Sequence, residues 1–184
     1  GNKQSNKFAN DIFNLLFLGL LFLTIIIQIF MPVFVSIIAP GFVDNFEKME
    51  IAIDLTRITF PFLFFISLAS FFSAILNSHN KFAAASAAPI ILNIVLIIIL
   101  LFSKSLGDQL VYFLSYGVSI AGLLQLLFLY KFVVKYFSLK FNFKIKLTKK
   151  VKFFFKRLLP SIFSSGVTQI NILIGTIIAS FQAR

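Results

Sequence analysis

The side chains that could carry chemistry are few, and they lie inside or beside long apolar runs. Asp54 and Arg57 stand three residues apart, Asn93 interrupts a later run, and Gln169 and Asn171 lie within the last one. Polar groups are costly in hydrocarbon and usually face a bundle interior or a watery cavity. Two interpretations stay open for each of these side chains. It lines a cavity that binds an anion, or it makes a structural contact within the bundle. For Arg57 the structural contact would be an ion pair with Asp54.

Motifs for covalent catalysis do not occur in this sequence. There is no GxxxxGK phosphate loop, no cysteine, and one histidine, His79, for six carboxylates. Thiolate metal sites and disulfides are therefore excluded, and we expect no catalytic residue, metal or cofactor. His79 lies in a short polar turn with no carboxylate nearby, so we interpret it as an exposed histidine rather than a proton relay. We predict that the protein is not an enzyme.

The composition is that of a membrane protein. Of the 184 residues 59% are hydrophobic and only 12% are charged, with 27 phenylalanines. A soluble domain typically has about 45–50% apolar and about 25% charged residues. A water-soluble protein of this size could not bury so many large apolar side chains without leaving exposed patches.

The apolar runs have the length of membrane-spanning helices. A hydrocarbon core about 30 Å thick needs roughly 20 apolar residues in helix. Four runs approach that length and a fifth begins near residue 159; the four cover about residues 12–38, 58–76, 82–102 and 110–134. The sequence therefore predicts an all-α, polytopic integral membrane bundle of about five transmembrane helices.

The charges alternate between the polar breaks. Residues 131–157 carry ten Lys or Arg and no acid, the start of the chain and the 77–81 turn are also basic, and residues 39–57 hold four acids. Because basic loops stay on the cytoplasmic side, residues 77–81 and 135–157 are predicted to be cytoplasmic. A nucleic-acid patch is the rival interpretation of the basic stretch, but spans on both sides hold it against the bilayer.

Residues 138–158 are predicted to form a basic amphipathic linker at the membrane surface. Leu147, Val151, Phe154, Phe155 and Leu158 follow the spacing of one helix face. The basic residues Lys149, Lys152, Lys156 and Arg157 are predicted to meet headgroups, which makes anionic phospholipids expected partners.

Among the prolines within predicted spans, Pro61 and Pro89 are the candidates for a bend or hinge. Pro61 removes a backbone hydrogen bond from the second span, and Pro89 does the same in the third. Each is interpreted either as a fixed packing bend or as a hinge of the kind found in the broken helices of transporters.

Several short motifs resemble the MurJ (MviN) family of bacterial lipid II flippases. They are densest in residues 38–94 and return near the end of the chain: A-P-G-F at 39–42, R-x-x-F-P at 57–61, S-L-A-S at 67–70, A-I-L-N at 74–77, A-P-x-x-L-N at 88–93 and GVTQINILIGTIIASF at 166–181. The resemblance implies a two-lobed transporter of fourteen helices around a central cavity. It also implies that this chain is an internal fragment.

On that resemblance, residues 1–137 would be four helices of the first lobe, 138–158 the linker, and 159–184 the truncated first helix of the second lobe. The implied function is flipping of the undecaprenyl-pyrophosphate-linked peptidoglycan precursor across the bacterial inner membrane by alternating access. Another exporter of the same MOP superfamily, for a polysaccharide lipid or a drug, and a non-transporting assembly subunit are the alternatives. The family's cavity arginines fall chiefly outside this chain, although Arg57 matches a position where other members often carry lysine.

Overall fold

The computed structural model describes residues 2–142 and 148–182, and regular structure in this part is helical throughout. The α-helices are α1 (Asn2–Ile29), α2 (Met31–Ile38), α3 (Phe46–Thr59), α4 (Pro61–Ser78), α5 (Phe82–Leu101), α6 (Ser103–Leu106), α7 (Leu110–Val133) and α8 (Lys149–Gln182), with 3-10 turns at Pro40–Phe42 and Gly107–Gln109.

Four helical segments are long and apolar enough to cross a membrane. They are Gln4–Ile29, Phe46–Ser78, Phe82–Leu101 and Leu110–Val133, and α8 makes a fifth if its two halves, which bend by 43° between Phe163 and Ser165, count as one span. The prediction of an all-α polytopic bundle is thereby confirmed.

Helix α7 is the most enclosed helix of the described part. It packs against α4, α5 and α3, and its buried residues include Ser115, Gly117, Ala121 and Gly122. Small residues let helices approach closely where no hydrophobic force drives them together. A Cβ added at Gly122 would lie only 2.7 Å from Cδ2 of Phe62, so any larger residue there would force the side chains of the α4–α7 contact to shift.

Phenylalanine rings fill the largest core cluster of the bundle (α1–α7). Phe13 of α1 stacks on Phe72 of α4 with ring centroids 5.6 Å apart and planes 7° from parallel. Leu68 and Leu76 of α4, with Leu129 of α7, complete the centre of this cluster. Offset-stacked and edge-to-face ring pairs add to the stabilisation that buried area alone provides.

The two prolines occupy different positions. Pro61 is the first residue of α4, directly after the turn residue Phe60, so its missing N–H costs α4 nothing. Pro89 lies inside α5, and its side chain is exposed. The predicted bend or hinge at each position stays a prediction.

Candidate functional site

Helix α8 contacts the bundle near its two ends. Near its beginning, the ring of Phe154 meets the ring of Phe8 of α1 edge-on, with centroids 6.1 Å apart. Near its end, the backbone N–H of Gly41 donates to Oγ of Ser180 over 3.0 Å. Phe154 and Ser180 are 26 positions apart on α8, which at about 1.5 Å per residue is about 39 Å along the helix. The two contacts are therefore separated by a distance comparable to the thickness of a bilayer.

The contact at Gly41 brings two backbones together. A Cβ at Gly41 would collide with the carbonyl group of Ser180 and lie 2.7 Å from the backbone nitrogen of Phe181. Ser180 is only 5% exposed. Glycine in the A-P-G-F turn is thus required by this close approach, since any other residue would push the end of α8 away.

Between these contacts the side chains of α8 are largely exposed. Among the described side chains from Lys152 to Ala179, only Gly166 and Ile177 are partly buried. Gln169 and Asn171 both lie in this exposed stretch. Two residues apart on a helix means a rotation of about 200°, so these two side chains leave α8 on nearly opposite sides. At most one of them can face the bundle.

The other two cavity candidates lie on other helices. Arg57 is exposed in the last turn of α3, and Nε2 of Gln28 donates to its backbone carbonyl oxygen over 2.8 Å, which ties α1 to α3. Asn93 is exposed on α5, a helix that packs against α7 and α4. The structure therefore spreads Arg57, Asn93, Gln169 and Asn171 over three helices rather than one packed cluster.

The basic residues line the outside of the first half of α8. Lys149, Lys152, Lys156 and Arg157 are all exposed. The guanidinium carbon of Arg157 lies 4.6 Å from the ring centroid of Phe153, a cation–π contact. A cleft of about 500 Å³ beside it is lined by Gln4, Ser5, Phe8, Lys150, Phe153, Phe154 and Arg157.

The predicted apolar face of this segment is only partly enclosed. Val151 is fully buried, whereas Phe154, Phe155 and Leu158 keep about a third of their surface exposed, at 36%, 37% and 36%. Leu147, the first member of the predicted face, lies outside the described residues. The segment thus carries both the lysines and the exposed apolar groups that a helix at a headgroup boundary needs.

His79 is exposed, and its ring lies against that of Tyr136 with centroids 4.9 Å apart. Its Nδ1 is also 2.9 Å from the carbonyl oxygen of Ile75. The 77–81 turn and the segment after α7 therefore meet at the same end of the bundle.

One polar site was missed from the sequence, where Asn14 falls within the predicted span of residues 12–38. Asn10 and Asn14 of α1 hydrogen-bond with the backbone of residues 138–142. The available signal was the pair of asparagines four residues apart, which places both on one helix face.

Together, these features define a multi-pass helical membrane protein in which a last, bent helix stands partly apart from the bundle. A family model described as lipid II flippase MurJ matches residues 1–184, and the chain belongs to that family. It is 38% identical over 98% of its length to a protein of Rhizobium tropici named probable lipid II flippase MurJ, of which it covers 34%. A Rickettsia prowazekii protein of the same name is 39% identical over 97% of the chain, which covers 35% of that protein. The chain therefore spans about a third of the length of the curated relatives it matches.

Proposed function

We propose that the protein containing this chain flips a lipid-linked peptidoglycan precursor, lipid II, from the inner to the outer leaflet by alternating access. The main support for this proposal is the family match along all of residues 1–184. Relatives such as a Rhizobium meliloti protein are also named probable lipid II flippase MurJ. A sugar-pyrophosphate headgroup cannot cross about 30 Å of hydrocarbon unaided. A polar cavity must shield it while the undecaprenyl chain stays in the lipid, and no covalent chemistry is needed.

The separation of α8 from the bundle supports a two-lobed arrangement. In this proposal the bundle is part of the first lobe, and α8 contains the first helix of the second lobe. Contacts at Phe8–Phe154 and Gly41–Ser180, with an exposed stretch between them, leave an opening along α8. Rocking of one lobe against the other would close and open that gap at alternate ends.

Contacts at one end of the bundle support the proposed orientation in the bacterial inner membrane. The ring contact between His79 and Tyr136 brings the 77–81 turn and the 135–157 region to the same end. The start of α1 reaches that end as well, through Phe8 and Phe154. All three regions carry basic excess, which fits a shared cytoplasmic side.

Anionic phospholipids are proposed as partners of the first half of α8. Two of its exposed basic residues, Lys150 and Arg157, line an aromatic-walled cleft. Each basic residue near an anionic surface contributes on the order of 1 kcal/mol. The headgroups would hold this part of α8 in the interface, where its exposed phenylalanines can enter the acyl boundary.

Arg57, Asn93, Gln169 and Asn171 stay proposed cavity residues, with Gln169 and Asn171 as alternatives because they leave α8 on opposite sides. Pro61 and Pro89 stay proposed hinges. The role of Arg57 has a direct test, because its side chain is exposed and the hydrogen bond from Gln28 uses only its backbone carbonyl oxygen. We expect Arg57→Ala to lower complementation and Arg57→Lys to retain it. Full activity of Arg57→Ala at normal membrane levels would remove it from the cavity.

The proposed function is tested by expressing the full-length protein in cells depleted of their own lipid II flippase. We expect growth and cell shape to be restored. Lysis despite normal amounts of protein in the membrane would contradict the proposal and favour a different exporter or an assembly subunit. The orientation is tested separately with single cysteines at Asn45 and Asn80, which should react with an impermeant thiol reagent from opposite sides.

A further inference from the structure

The chain after α7 does not leave the bundle at once. Its first part, the strap (residues 136–142), lies along the start of α1. Nδ2 of Asn10 donates to the carbonyl oxygen of Ser138 over 2.9 Å, and Nδ2 of Asn14 donates to that of Lys140 over 3.0 Å. In return, the backbone N–H of Lys140 donates to Oδ1 of Asn10 over 2.6 Å, and that of Asn142 donates to Oδ1 of Asn14 over 3.0 Å. Each of the two side-chain amides thus both donates to and accepts from the backbone of the strap.

The spacing of these bonds explains why two asparagines can hold the strap. Asn10 and Asn14 are one helical turn apart, a rise of about 6 Å. Bonded backbone groups recur every two residues along the strap, and two residues of extended chain advance about 6.6 Å. The helix and the strap therefore stay in register over both pairs. A primary amide is suited to the task because it carries a donor and an acceptor side by side.

Apolar contacts also hold the strap to the bundle. Phe137 is 2% exposed and belongs to the main core cluster. The ring of Phe141 meets those of Phe13 and Phe17 edge-on, at 5.5 and 5.3 Å between centroids. Asn14 itself is only 6% exposed, so its amide bonds are shielded from competing water. The strap is thus attached by both its backbone and its side chains.

We propose that Asn10 and Asn14 are positioning residues that fix where the inter-lobe linker, taken here as the chain between the bundle and α8, leaves the first lobe. This inference rests on the proposed two-lobed flippase. With the strap attached, the linker departs at Asn142, leaving about six residues before α8 begins at Lys149; without the asparagine bonds it would depart after Phe137, which stays buried in the core, leaving about eleven. At about 3.5 Å per residue, the maximum reach rises from about 20 Å to about 40 Å. The attached strap therefore limits how far the beginning of α8 can move away from the bundle as the lobes rock.

The first measurement is hydrogen exchange on the full-length protein in lipid nanodiscs. The double variant Asn10→Ala/Asn14→Ala should speed exchange in peptides covering residues 138–142 at least tenfold. Asn6→Ala is the matched control, since Asn6 lies one turn earlier on α1 and its side chain is outside the four strap bonds; we expect less than a twofold change. Asn14→Asp keeps an acceptor for the Asn142 N–H and should fall between them. Unchanged exchange in the double variant would overturn the attachment.

The second measurement separates positioning from mere stability. In flippase-depleted cells the double variant should complement at least tenfold less well than Asn6→Ala, at equal membrane levels. Deleting three residues after Asn142 should restore part of that loss, because it shortens the detached linker. Normal complementation by a variant with fast exchange, or no rescue by the shorter linker, would overturn the positioning role. Failure of the unmodified protein to complement would instead count against the proposed function, while the exchange result would still report on the strap.

Discussion

Helices α7 and α8 are both long and apolar, yet their surroundings differ completely. Along α7, buried positions recur from Ser115 to Val133, and the neighbours that bury them belong to this same chain. Along the described side chains of α8, only Val151 and Ser180 are buried. A helix that is apolar all round must meet lipid or other helices. The difference shows that α7 is the interior of one packed unit, whereas α8 touches that unit only near its ends.

The largest effect is expected from overfilling the α4–α7 contact. A leucine at Gly122 would have to displace Phe62 and Phe65, whose nearest atoms lie 2.7 and 3.3 Å from the position of an added Cβ. Overpacking of this kind typically costs about 1–3 kcal/mol, and we expect Gly122→Leu to reach the upper part of that range. The readout is the thermal unfolding midpoint of the full-length protein in detergent. An unchanged midpoint would contradict the close packing described for α7.

Next in size is the contact at the far end of α8. Gly41→Val should separate the A-P-G-F turn from Ser180, because the two backbones already touch. In a cysteine-free background, a Ser180→Cys probe should react with an impermeant thiol reagent several-fold faster once Gly41→Val is added. Asn45→Cys, exposed on the same predicted side, serves as the control and should react equally in both backgrounds. Equal rates for the probe at Ser180 would show that the glycine does not hold α8 there.

Composition and charge were sufficient to predict the membrane fold, because hydrocarbon admits helices whose backbone groups are satisfied internally. Helix ends followed other rules. Helix α1 begins at Asn2, well before the apolar run at about residue 12, and α3 begins at Phe46 behind its Asn45 cap. Hydropathy detects the part that crosses the lipid, whereas caps and prolines decide where helices begin and end.

The strap could not be predicted from the sequence, because it pairs residues 126–130 positions apart. Asn14 in an apolar run indicates that a partner exists without indicating which one. The same limit applies to Gln169 and Asn171. Their types suggested a shared cavity, but their helical spacing turns them to opposite sides of α8.

A smaller effect is expected at Gln125, in the middle of α7. This side chain is 1% exposed, and its Nε2 has no hydrogen-bond partner within the described part of the protein. An unpaired buried donor costs about 1–3 kcal/mol. Gln125→Leu, which removes the donor at similar volume, should therefore raise stability by about 1 kcal/mol in the same unfolding assay. Gln169→Leu, on exposed α8, is the matched control with little expected change. A loss of stability in Gln125→Leu would indicate that the amide has a partner.

The smallest effect is expected at Gly175 of α8, and it bears most directly on the contrast with α7. A Cβ added at Gly175 meets nothing within 4 Å, unlike one added at Gly122. Replacing a helix glycine by alanine then stabilises by roughly 0.5–1 kcal/mol, because less backbone freedom is lost on folding. Gly175→Ala should therefore leave the full-length protein unchanged or slightly more stable. A clear loss of stability would show that another helix packs against Gly175 as tightly as Phe62 packs against Gly122. Helix α8 would then be the interior of a second packed unit, as α7 is of the first.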